Sequence, residues 1–153
     1  MQNRRNMGKK PKRDPPPKFA TGGTWHTHHV ILFDDLLNSP AYIALSAPAK
    51  EAYTILMQEY KGKFTNNIVK CPYSTFKSKG MRPNTLSRAL LQLETYGFIS
   101  IEHGGLEHQP SKYRFIDKWK ESYNPEFLNK AKADFDEAIR RKKLAKEIKA
   151  NAS

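Results

Sequence analysis

Arg88 has Asn84 four residues before it and Gln92 four residues after it, a spacing that gathers three side chains on one side of a helix. A guanidinium donates twice to O6 and N7 of guanine, and a carboxamide donates to and accepts from the adenine edge. The chemistry open to such a face is the reading of base edges in a major groove. Thr85 and Ser87 add hydroxyls to the same end. Surface helices of every kind carry these residue types, so the elements around them decide what the pattern means.

Competing chemistries lack their motifs. There is no phosphate-binding glycine loop ending in Lys-Ser or Lys-Thr, no nucleophile elbow and no helix with paired His. Glu102 and Glu107 flank a glycine-rich turn, as two carboxylates do for acid and base work, but charged turn tips are usually just solvated. His26, His28 and His29 invite a metal, yet the other donors, Cys71, His103 and His108, stand in separate elements without ligand-type spacing. Cys71 is the single cysteine and reads as an ordinary thiol near a helix start. The expectation is no enzyme, no metal, no cofactor and no small-molecule ligand.

The positioning elements follow from local signals. Pro83 suits a first helical turn and Gly97 the left-handed position past the end, so a helix is expected over 83–96. At about 100° per residue, Leu86, Ala89, Leu90, Leu93 and Tyr96 fall on one side. Asn84, Ser87, Arg88, Gln92 and Thr95 fall on the other, with Leu91 among them. One face packs and the other is free. After Gly97 the period becomes two: Phe98, Ile99 and Ile101 are apolar, Ser100, Glu102 and His103 polar, and Gly104-Gly105 ends the run. A second alternating run, Ser111–Ile116, pairs back on the first.

Helix, short turn and long-tipped hairpin is the order of a winged helix. Through Gly80-Met81, Thr85-Leu86-Ser87-Arg88-Ala89-Leu90, Leu93-Glu94 and Gly97-Phe98-Ile99, residues 30–120 resemble bacterial winged helix-turn-helix DNA-binding proteins. The nearest in pattern are those that plasmids, phages and integrated elements carry for replication or gene control. The resemblance implies an α+β fold, a mainly helical winged helix-turn-helix with a small antiparallel hairpin, to which a C-terminal helix is added. It implies that double-stranded DNA is the partner. Asn84, Thr85, Ser87, Arg88 and Gln92 would face base edges, while Lys77, Lys79, Lys112 and Arg114 hold phosphates and the wing, 104–110, lies over the backbone.

Charge agrees with a polyanionic partner. Of the net +12 in 153 residues, +6 sits in residues 1–20, +3 in 21–116 and +3 in 117–153. Residues 1–20 have almost nothing to bury and read as a disordered basic arm. Residues 21–120 form the expected domain, and 121–153 a basic C-terminal helix containing Arg140-Arg141-Lys142-Lys143, Lys146 and Lys149. A mean hydropathy of −0.76 and the lack of a long apolar run predict a cytoplasmic protein with no membrane span.

Six further elements are expected around the reading helix. Val30–Phe33 reads as an edge strand or turn lying on the domain, Ser39-Pro40 opens a short helix over 41–45, and a longer helix runs over 48–61. Residues 67–70 supply a first strand, and 72–79 the first helix of the helix-turn-helix with Phe76 as its anchor. Trp119 packs back over the sheet. Asn124-Pro125 starts the last helix, whose thin stripe includes Leu128, Phe135 and Ile148. That stripe over 124–148 can dock in cis, or form a homodimer or protein-partner contact. The alternative function is a winged helix serving as a protein-interaction module in a larger nucleic-acid-associated complex.

Overall fold

Pro83 and Gly97 bracket the central helix as their chemistry requires. The computed structural model of the protein describes residues 30–62, 65–104 and 110–152. In chain order the elements are α1 (Asp34–Leu37), α2 (Pro40–Ile43), α3 (Ala47–Glu59), β1 (Ile68–Lys70), α4 (Tyr73–Ser78) and α5 (Pro83–Thr95). β2 (Ile99–Glu102), β3 (Lys112–Phe115), a 3₁₀ helix (Lys118–Tyr123) and α6 (Pro125–Asn151) follow. The fold is α+β and mostly helical. Its one described sheet is antiparallel with the order β1-β3-β2. The basic arm, His26, His28, His29 and most of the hairpin tip, including Glu107 and His108, lie outside the described residues.

The C-terminal ends of α4 and α5 are set by the same device. Gly80 and Gly97 have φ of +91° and +82°, and each follows a helix whose last carbonyls are met by a pair of backwards bonds. Met81 N–H donates to Phe76 O at 3.0 Å and Gly80 N–H to Lys77 O at 3.0 Å. Phe98 N–H donates to Leu93 O at 2.9 Å and Gly97 N–H to Glu94 O at 3.1 Å. These are Schellman caps, and in each the apolar residue beyond the glycine is buried against the helix it ends.

The core lies between the helices and one face of the sheet. Strand alternation sends Val69, Ile99, Ile101, Tyr113 and Phe115 inward, and the register pairs Ile101 with Tyr113 and Tyr113 with Val69. Phe98 is the hub: its ring stacks on Trp119 at 6.0 Å and meets Tyr53 and Tyr42 edge-on at 5.6 and 6.2 Å. Trp119 is buried on Phe98, just before β2, rather than over the strands themselves. The five positions expected on the packed face of α5, Leu86, Ala89, Leu90, Leu93 and Tyr96, are all buried.

Two segments sharpen the expectation. Of the edge strand or turn expected at Val30–Phe33, no strand forms; Leu32 rests on the core and the chain turns directly into α1, whose first turn carries Asp34 and Asp35. The domain also does not stop at residue 120. Ser122 accepts a bond from Ala41 N–H at 3.1 Å, and Ala131 and Phe135 are buried in the same core. The 3₁₀ helix and the first half of α6 are integral, because Trp119 and Phe135 are the lids over Phe98 and Tyr96.

Candidate nucleic-acid interface

The expected free face of α5 is covered in part by α6 and in part by the start of α3. Phe135 meets Tyr96 edge-on at 6.4 Å at the C-terminal end of α5, while Lys142 Nζ donates to Ser87 Oγ at 3.3 Å near its start. The two helices therefore run antiparallel, with α6 over the strip of α5 that holds Ser87, Leu91 and Thr95. Leu91, Leu128 and Ile139 are each half-buried against the core. The last helix docks in cis, and Phe135 is consumed by that docking. Of the dimer contact expected through Leu128, Phe135 and Ile148, only Ile148 stays well exposed, joined by Leu144.

Gln92 is the clearest correction among the expected base-reading residues. It is 7% exposed, and its Oε1 accepts from Ser46 N–H at 3.1 Å and Ser46 Oγ at 2.7 Å. Ser46 is the N-cap of α3 and makes no side-chain cap bond of its own. Gln92 fastens the start of α3 to the middle of α5, so its polarity serves packing. Gln92→Ala is expected to lower stability by about 1 to 2 kcal/mol through the lost bonds. Urea unfolding checks this, and a stability unchanged within 0.3 kcal/mol or so would show that Ser46 is held by other means.

Lys112 and Arg114 lie on β3, at the base of the hairpin and apart from α5. Their neighbour Tyr113 points into the core, so alternation puts both on the opposite face of the sheet, away from the helices. Arg114 Nη1 donates to Asn66 O at 3.3 Å, and Lys112 stands across from Glu102 and Lys70. The structure does not bring them to α5.

What remains together is the N-terminal end of α5. Asn84, Thr85 and Arg88 are exposed there, with Ser87 half-buried. Arg82, the N-cap, makes no side-chain cap bond, and the first turn contains no acid. Lys77 in the last turn of α4 and Lys79 at its C-cap are exposed just before the α4–α5 turn. Ser46 and Pro48 line a shallow hollow with Asn84, Thr85 and Arg88, so this end of α5 sits next to the start of α3. Two helix N-termini thus add partial positive charge to a patch bearing Arg82 and Arg88, with Lys77 and Lys79 just before it in the chain.

The geometry brings residues of α6 to the site. Phe135, Ile139, Lys142 and Lys146 follow one another at steps of three or four, so the face of α6 that buries Phe135 carries Lys142 and Lys146 to the start of α5. The signal was the lysine that interrupts an apolar stripe. Arg88 lies over the Phe135 ring at 5.8 Å, which steadies its guanidinium without neutralising it.

Cys71, by contrast, offers no chemistry to this surface. It is fully buried, and burial, with Glu59 next in effect, pushes its thiol up to about 11. No helix among the described residues is long and apolar enough to cross a membrane. Comparison with family models, with curated proteins and with solved structures finds no match to this chain.

Proposed function

We propose that the protein is a winged helix-turn-helix binder of duplex DNA, acting as a regulator or replication-associated factor of a mobile genetic element. The element order α3-β1-α4-α5-β2-β3, with β3 between β1 and β2, supports the winged-helix reading. The observation that carries the function is the exposed, acid-free start of α5, ringed by cations. Recognition helices of this class set their N-terminal residues against base edges while the preceding helix crosses the backbone. Asn84, Thr85 and Arg88 are then the readers, and Lys77, Lys79 and Arg82 hold phosphates.

Arg88→Ala is expected to weaken binding to the preferred duplex, found by selection from random sequence, by about 1 to 3 kcal/mol, or roughly 5- to 150-fold. Binding to random duplex should fall much less. Equal losses on both duplexes would make Arg88 a phosphate contact, and no loss on either would remove α5 as the reader.

A second reading, the protein-interaction module, is favoured by Leu144 and Ile148, which stand 58% and 60% exposed on α6. Salt separates the two. DNA binding loses affinity with a log-log slope of about −0.9 per phosphate neutralised, whereas an apolar contact through Leu144 and Ile148 holds or strengthens.

A further inference from the structure

We propose that the cleft between the first turns of α5 and the 139–146 stretch of α6 seats one phosphodiester strand of duplex DNA, gripped from both walls. This rests on the DNA-binding reading and adds α6 to it as half of a clamp. The cleft has a volume of about 440 Å³. Asn84, Ser87 and Arg88 form one wall and Lys142, Lys143 and Lys146 stand on the other, with no carboxylate in the lining.

Four cations converge on this cleft, and the protein itself compensates them poorly. Lys142 donates to Ser87, a neutral partner. Lys143 reaches Glu147 only at 4.0 Å, in an exposed pair worth little. Arg88 rests on an aromatic ring, and Lys146 faces the cleft without an acid in its lining. Helix-dipole complementation does not account for them either. That effect fades within the last turn, where Lys149 stands, whereas Lys142, Lys143 and Lys146 lie earlier in a helix that ends at Asn151.

The arrangement fits a line of negative charge better than a single anion. Lys142 and Lys146 are one turn apart, about 6 Å along the axis of α6, a length that spans about two phosphates of one strand at 3.4 Å of axial rise each. The start of α5 also supplies unpaired N–H groups at the mouth of the cleft. With that start in the major groove, α6 alongside it falls outside the groove. The strand bordering the groove then passes between the two helices.

The test compares two triple variants on a short duplex of random sequence, because phosphate contacts do not depend on sequence. K142Q/K143Q/K146Q is expected to flatten the log-log salt slope by about 1.8 to 2.7, two to three contacts at about 0.9 each. K61Q/K130Q/K132Q removes the same charge from exposed positions outside the cleft and is expected to change the slope by less than about one such contact. Lys146→Gln alone, too small a change to unseat α6, should remove about 0.9 and guards against loss of the helix in the triple variant. Equal slopes for the two triples, or an unchanged slope for Lys146→Gln, overturns the clamp while leaving DNA binding intact. If the wild-type chain binds no duplex at low salt, the function proposed above falls, and the clamp with it. Saturable uptake of inorganic phosphate that the cleft triple abolishes, with duplex binding unaffected, would mark the cleft as a free-anion site and overturn the clamp.

Discussion

Gly97→Ala is expected to destabilise the protein by about 2 to 5 kcal/mol, from two causes that act at one atom. The first is conformational: at φ +82° an L side chain costs about 1 to 2 kcal/mol. The second is spatial. A Cβ at this position would lie 2.9 Å from Lys118 Cβ and 3.0 Å from the Lys118 carbonyl carbon and Trp119 N, and two of these are backbone that cannot swing away. Overpacking of this kind costs about 1 to 3 kcal/mol more. Gly97 O also accepts from Trp119 N–H at 3.1 Å, so the clash would push apart a pair that a hydrogen bond holds together.

Gly80 supplies the comparison. Its φ is +91°, but a Cβ there meets nothing within 4 Å. Gly80→Ala should show the conformational cost alone, about 1 to 2 kcal/mol. Urea midpoints at unchanged m would separate the two. Equal shifts would mean that the 3₁₀ helix is not pressed on Gly97. The consequence reaches the candidate site, because Gly97 is where the end of α5 touches the segment that launches α6. A shift there changes the angle between the two walls of the cleft.

Phe135→Ala is expected to cost about 3 kcal/mol, the low end for a buried Phe, and to release the far half of α6. Phe135 is 7% exposed, edge-on to Tyr96 and beneath the Arg88 guanidinium. Little else holds this helix beyond Leu128, Ala131 and Ile139, since every residue from Arg140 to Asn151 is exposed. Once released, that half has only pairs such as Glu137 with Arg141 to support it, each worth a few tenths of a kcal/mol. It should fray. Trypsin should then cut at Arg140–Lys146 markedly faster in the variant than in the wild type, and amides over 136–150 should lose hydrogen-exchange protection. A cost below about 1 kcal/mol with unchanged proteolysis would show that α6 is not held by Phe135. Because Phe135 is spent in cis, any self-association of the wild-type chain should survive this variant and respond instead to Leu144 and Ile148.

Local chemistry made much of this protein legible in its residues. Pro83 and Gly97 set the bounds of α5 because a missing N–H and a positive φ act on their own turn and need no distant partner. The spacing of Leu86, Ala89, Leu90, Leu93 and Tyr96 named the packed face, and the alternation after Gly97 named the hairpin, since each period follows from backbone geometry. Ser39-Pro40 and Asn124-Pro125 marked helix starts for the same reason, and both caps are made, to Tyr42 N–H and to Glu126 N–H.

Tertiary structure alone decided which polar residues are left for a partner. Asn84 and Gln92 are both carboxamides on the side of α5 that looked open. Gln92 is claimed by Ser46, 46 residues away, and Asn84 is not, because α3 begins beside one and stops short of covering the other. No helical period encodes that. Lys112 and Arg114 alternate correctly along β3, yet whether their face looks toward α5 or away depends on which side of the sheet the helices pack. The role of α6 was hidden most fully. A stripe as thin as Leu128, Ala131, Phe135 and Ile148 is consistent with docking or with dimerisation, and what tips it to docking is Tyr96 and Arg88 on another helix, where a ring edge and a cation complete the contact that Phe135 begins.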